Sequence, residues 1–123
     1  MKRRMGVTHV AVRVANPADP RRNLRVRCLV DSGAVYSLVP TSTLRKLGIA
    51  PYETQAFTLA DGTEIRRKVG GALFALGRQR GGAPVIFGDR GDSSLLGTTA
   101  LEAMRLMLDP IRRELLPLPK VPV

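Results

Sequence analysis

The residues of this chain best suited to chemistry lie in Leu29-Val30-Asp31-Ser32-Gly33-Ala34, where an apolar run carries a carboxylate to the end of a predicted strand. Ser32 and Gly33 turn the backbone there, because these residue types hydrogen-bond locally or accept unusual φ. Asp31 is left at a loop, where it can face the floor of a cleft and act as a general base on water. Asp, Ser and Gly also make ordinary surface turns, so the surrounding elements must decide between the two. Other chemistries are short of parts. Ser32 has no evident base, since the only histidine is His9 and no Gly-x-Ser-x-Gly elbow occurs. His9 stands among Val7, Val10 and Val12 on a predicted strand, which suits a structural or surface imidazole. The single cysteine, Cys28, alternates with Val26 and Val30 and is expected to be a buried structural thiol. No metal site and no cofactor are expected: Asp89 and Asp92 are too sparse for calcium. Gly70-Gly71 and Gly81-Gly82 read as turns or bulges outside the strand-Gly-helix context of a phosphate loop.

The elements that must position Asp31 are mostly strands. Val10, Val12 and Val14 alternate with Ala11 and Arg13, and Leu24, Val26, Cys28 and Val30 with Arg25 and Arg27, the two-residue period of half-buried β. Asn16 to Asn23, containing Pro17 and Pro20, reads as the loop between them. Thr41 or Ser42 can cap a short helix through Leu44 and Leu47, ended by Gly48. Downstream, Phe57-Thr58-Leu59-Ala60 and Thr63-Glu64-Ile65-Arg66 flank Asp61-Gly62, which predicts a projecting hairpin with a two-residue type I′ turn and positive φ at both central positions. Pro84 to Asp89 reads as a strand. Ser94-Leu95-Leu96-Gly97 precedes a predicted helix from Thr98 to Met107, and Leu106 to Pro110 and Arg113 to Pro117 read as two short strands around a turn.

In this order the features resemble the retropepsin-like aspartic proteases, in their small form with one motif per subunit, over roughly residues 7 to 117. The sextet around Asp31 matches hydrophobic-hydrophobic-Asp-Thr/Ser-Gly-Ala, and Leu95-Leu96-Gly97 matches the hydrophobic-hydrophobic-Gly element that packs under the Asp loop. The resemblance implies an all-β fold, a closed or partly open acid-protease barrel with one or two short helices. It implies one domain over residues 1–123, with a basic N-terminus and a Pro-rich C-terminus. Asp31 would be catalytic, Ser32, Gly33 and Ala34 would support its loop, and Ala60, Asp61, Gly62 and Thr63 would form a flap closing over a peptide or protein substrate. Tyr36 departs from the family's smaller or polar residue, so a phenol would narrow the cleft or pack beside it. Peptide hydrolysis of this kind uses two carboxylates sharing one proton, as aspartic proteases do in general. One Asp-Ser-Gly in 123 residues supplies half of that pair. A symmetric homodimer with Asp31 from each subunit on the axis is therefore implied, with Pro117 to Val123 either an interface strand or loose.

Composition bounds the other classes. Hydrophobic residues make up 44% of the chain, enough for a core, with no run long enough to span a bilayer, so no membrane partner is expected. Met1-Lys2-Arg3-Arg4 is charged like a signal-peptide start, but Thr8, His9 and Arg13 interrupt the apolar stretch after it, and the cytoplasm is expected. Twenty Lys plus Arg against ten Asp plus Glu give a net charge of +10, and eight of the basic residues fall within the first 27 positions. Such a surface would attract polyanions. Five aromatics, no Trp and arginines dispersed over strands argue against nucleic acid as the main partner. Basic residues near the cleft would favour acidic substrate side chains. The competing class is a non-catalytic dimeric module on the same fold that binds peptide or nucleic acid.

Overall fold

The two alternating valine runs become β1 (His9–Asn16) and β2 (Asp19–Val30), an antiparallel pair in which Val12 lies opposite Val26 and Val10 opposite Cys28. The computed structural model describes residues 8–120; the basic start of the chain and residues 121–123, with the end of the Pro-rich segment, lie outside the described residues. The chain continues through β3 (Ser37–Pro40), α1 (Thr41–Lys46), β4 (Glu53–Thr58), β5 (Glu64–Leu76), β6 (Gln79–Gly88), β7 (Leu95–Leu96) and α2 (Thr98–Ala103) to a separate hairpin, β8 (Leu106–Asp109) and β9 (Glu114–Pro117). The main sheet runs β1-β2-β7-β3-β6-β5-β4, and β1 also pairs with β5, so six strands form a ring and β4 extends from its rim.

The core lies inside this ring. Val12 and Val14, Cys28 and Val30, Phe74, Val85 and Phe87 all point into it, and Leu44 and Leu47 near α1 and Leu101 and Met104 near α2 complete it. Burial of the apolar face of each strand supplies the main drive for folding. Cys28 lies within this core, and desolvation pushes its thiol up to about 11. His9 is exposed on β1. Leu24 does not follow Val26 inward: it is 38% exposed.

Several boundaries differ from the sequence pattern, each for a local reason. The stretch 16–23 is not an open loop. It is a tight turn at Pro17-Ala18 closed by the Ala18 amide donating to Asn16 Oδ1 at 2.8 Å, and Pro20 sits where the β1/β2 register shifts, a place that tolerates a missing donor. Neither Thr41 nor Ser42 caps α1. Pro40 holds the N-cap position without a side-chain bond, and Thr41 Oγ1 donates instead to Gly88 O at 2.8 Å, while Gly48, at φ +76°, follows the helix end. The second helix stops at Ala103 and does not reach Met107, because Arg105 turns left-handed at φ +57° and Gln79 Nε2 donates to the freed Met104 carbonyl at 2.8 Å. The two glycine pairs are neither turns nor bulges but lie within β5 and β6. Gly81 is required there because a Cβ would fall on the Ala103 carbonyl, where the end of α2 crosses the strand.

Candidate active site

The Asp31 loop leaves the sheet where β2 and β3 diverge around a third strand. Two-residue β7 is wedged between them, parallel to β2 with Leu29 opposite Leu95 and Val30 opposite Leu96, and antiparallel to β3 with Leu38 opposite Leu95. The Asp31 amide extends this ladder by donating to Leu96 O at 3.0 Å. Beyond it the chain closes on itself. Ala34 N–H donates to Asp31 O at 3.1 Å, and Gly33 N–H donates to Asp31 Oδ1 at 2.9 Å, which fixes the carboxylate at the loop. Asp31 is half-buried, while Ser32 and Gly33 are exposed at the tip.

Behind the loop stands α2. A helix start leaves amide donors without intrahelical partners, and no side chain caps this one. The loop supplies the acceptors: Thr98 N–H donates to Ala34 O at 2.9 Å, and Thr99 donates through both its amide and its hydroxyl to Val35 O, at 3.0 and 2.8 Å. Gly97, just before the helix, donates to the wholly buried Ser37 Oγ at 2.9 Å, and a Cβ on Gly97 would lie 2.6 Å from the Tyr36 carbonyl. Leu95, Leu96 and Gly97 thus lie directly beneath the Asp31 loop.

The hairpin between β4 and β5 carries Ala60, Asp61, Gly62 and Thr63 exposed at its tip. Its turn is not type I′. Only Gly62 has positive φ, at +87°, and the bonds run from Gly62 N–H to Leu59 O at 2.9 Å and from Leu59 N–H to Thr63 O at 2.8 Å. This is the three-residue loop in which Ala60 and Asp61 turn right-handed and Gly62 restores the strand. Asp61 Oδ1 accepts from Thr63 N–H at 2.9 Å, and that bond holds its carboxyl below the usual range.

Between loop and hairpin lies a cleft of about 400 Å³ with Gly33 and Ala34 at one end and Val35, Tyr36, Leu38, Phe57, Ile65 and Ile86 among its walls. Tyr36 meets Phe57 edge to face, with centroids 5.6 Å apart at 75°, so the phenol both lines the cleft and ties the Asp31 loop to β4. The sequence pattern did not single out Phe57, Ser37 or Arg67, which also lines the cleft. The one available signal was Ser37, a small polar residue within an otherwise apolar strand. Among the described residues no group of His, Cys, Asp and Glu is arranged to hold a metal, and no helix is long and apolar enough to cross a membrane.

A strand wedged beneath an Asp-Ser-Gly loop, a hairpin above it and a ring of strands around one core define the retropepsin-like aspartic protease fold. An aspartyl protease family model matches residues 10–100, and the chain belongs to that family. Among solved structures it is similar to the EIAV protease complexed with the inhibitor HBY-793, at 14% identity, with 78% of this chain and 86% of that one covered and a TM-score of 0.61. It is also similar to the simian foamy virus (mac) protease, solved in solution, at 19% identity over 76% of this chain and 92% of that one, with a TM-score of 0.51. At such identities the likeness is one of fold. No curated protein matches the chain.

Proposed function

We propose that this chain is an aspartic endopeptidase that works as a homodimer, with Asp31 of each subunit meeting across a two-fold axis. The observation that carries the proposal is the presentation of Asp31: one half-buried carboxylate, held by the Gly33 amide, on a loop whose next residues, Gly33 and Ala34, line an apolar cleft, in a chain with a single such motif. Two carboxylates ~3 Å apart would repel by roughly 5 kcal/mol at an effective dielectric of ~20, so the pair keeps one proton between them. The ionised partner takes a proton from water as the water oxygen bonds to the scissile carbonyl carbon. The protonated partner gives its proton to the carbonyl oxygen, yielding a tetrahedral diol. Return of protons to the amide nitrogen and to the carboxylate pair breaks the C–N bond and releases acid and amine.

Ser32, Gly33 and Ala34 hold the paired loops in this scheme, the tip from Ala60 to Thr63 closes over the peptide, and Leu95, Leu96 and Gly97 form the platform beneath. The whole chain acts as one domain, and cytoplasmic action goes with the lone buried Cys28. The test is Asp31→Asn. We expect peptidase activity on a mixed peptide library to fall by at least about a thousandfold, with thermal melting and dimer mass in sedimentation unchanged. Full activity of the variant, or a strictly monomeric active species, would overturn the proposal. A binding module would instead capture peptide equally well with and without the substitution and cleave none.

A further inference from the structure

A recess of about 570 Å³ lies on the flank of the cleft, between the end of α1, the loop after it and β5. Its walls carry Arg45, Arg66, Arg67 and Lys68 against a single carboxylate, Asp89, over an apolar floor that includes Phe87. Arg67 lines both this recess and the cleft, so the two adjoin at its side chain. Its guanidinium donates through Nη2 to Asp89 Oδ2 at 3.0 Å and through Nη1 to Arg66 O at 3.1 Å, while its Nε is buried with no partner. Arg45, Arg66 and Lys68 form no ion pair among the described residues, and Asp92 accepts from the Asp89 amide at 2.8 Å.

A concave surface of one sign concentrates its potential, and exposed guanidinium and ammonium groups without ion partners over an apolar floor match a carboxylate. We propose that the enzyme selects peptides carrying an acidic side chain just beyond the apolar residue held in the cleft, and that the basic recess lined by Arg45, Arg66 and Lys68, with Arg67 where it adjoins the cleft, receives it. The inference deepens the protease assignment and rests on it. The recess thereby sets substrate class, while the Asp31 loop sets the reaction.

The experiment uses the full chain and two labelled peptide pools, random and apolar at the centre and differing only in Glu or Gln at the flanking positions. Binding is followed by fluorescence anisotropy and cleavage by mass spectrometry. We expect the Glu pool to bind about tenfold more tightly, corresponding to one charge-assisted contact. Its advantage should reside in KM and shrink with added salt. Arg45→Gln/Lys68→Gln, at two exposed positions that leave the core untouched, should lower the Glu:Gln ratio severalfold, with Arg66 and Arg67 still in place. Equal treatment of the pools by the unaltered protein, or a ratio unchanged by the double substitution, overturns the inference while cleavage of both pools leaves the protease assignment standing. Binding preference without any cleavage sinks the protease assignment instead and keeps the recess as an acidic-peptide site. Should a single-stranded oligonucleotide alone bind, and lose affinity in the double variant, the recess serves nucleic acid and the inference fails.

Discussion

Around Asp31 the backbone is bonded to two other elements, β7 and α2, whereas the hairpin tip is held by bonds among its own residues 59–63. The contrast is sharpest in two glycines. Gly97 is buried and lacks a side chain because the Tyr36 backbone occupies the place where one would be, 2.6 Å from an added Cβ. Gly62 is exposed, with nothing within 4 Å of an added Cβ, and is glycine only because its φ is +87°. One position is fixed by close approach of two backbones and the other by a dihedral angle. Under the proposed mechanism, the loop that would hold a carboxylate still is built into the core, and the segment that would open for substrate draws on the low-stability end of the structure.

The largest effect is expected at Gly97. Gly97→Ala pushes a methyl group into backbone that cannot relax as a side chain would, and we expect a loss of about 3 kcal/mol in urea unfolding together with loss of peptidase activity. A variant as stable as the parent would mean that the seat beneath Asp31 is not rigid. Ser37→Ala sharpens the same point with a smaller effect. It removes the acceptor of the buried Gly97 amide while leaving volume nearly unchanged, and an orphaned buried donor costs about 1–3 kcal/mol. Ser37→Thr, which restores a hydroxyl, should recover part of this if the bond and not the packing is responsible; equal unfolding midpoints for Ser37→Ala and the parent would remove the bond from the account.

These sites were unevenly legible in the sequence. The Asp31 loop and the hairpin could be read because each joins a two-residue alternation to a local turn signal, and local signals survive folding, whereas Leu95-Leu96-Gly97 was legible only through its likeness to the family's hydrophobic-hydrophobic-Gly element. The turn type at Asp61-Gly62 could not be read, since Asp-Gly serves both a two-residue and a three-residue loop and the choice rests on which strand residues pair across it. Gly81 looked like punctuation because what forbids a side chain there is the end of α2, far away in sequence. Proline near Asn16 hid the start of β2 for a similar reason, as the bulge that accommodates Pro20 exists only once β1 has paired. Arg67 was one basic residue among twenty until the fold set it between two concavities.

The smallest expected effect on stability, and the most telling for function, is at the hairpin tip. Gly62→Ala forces a left-handed conformation on a residue with a Cβ, a penalty of about 1 kcal/mol. Because the tip bonds mainly to itself, it can open locally without unfolding the ring of strands. The melting temperature should therefore move little while KM for peptide rises, and Gly62→Asn, which tolerates the same dihedral, should fall between Ala and the parent. Acid probes the turn from its other side. The Asp61 carboxyl is held low by the Thr63 amide, so the stabilisation of the turn is present above the ordinary Asp pKa and is lost only as pH falls through the lowered value. The tip should accordingly stay ordered, by the Gly62 amide resonance, through neutral and mildly acidic solution. If Gly62→Ala instead lowered the melting temperature as far as Gly97→Ala, the tip would belong to the same cooperative unit as the Asp31 loop, and a flap opening on its own would lose its physical basis.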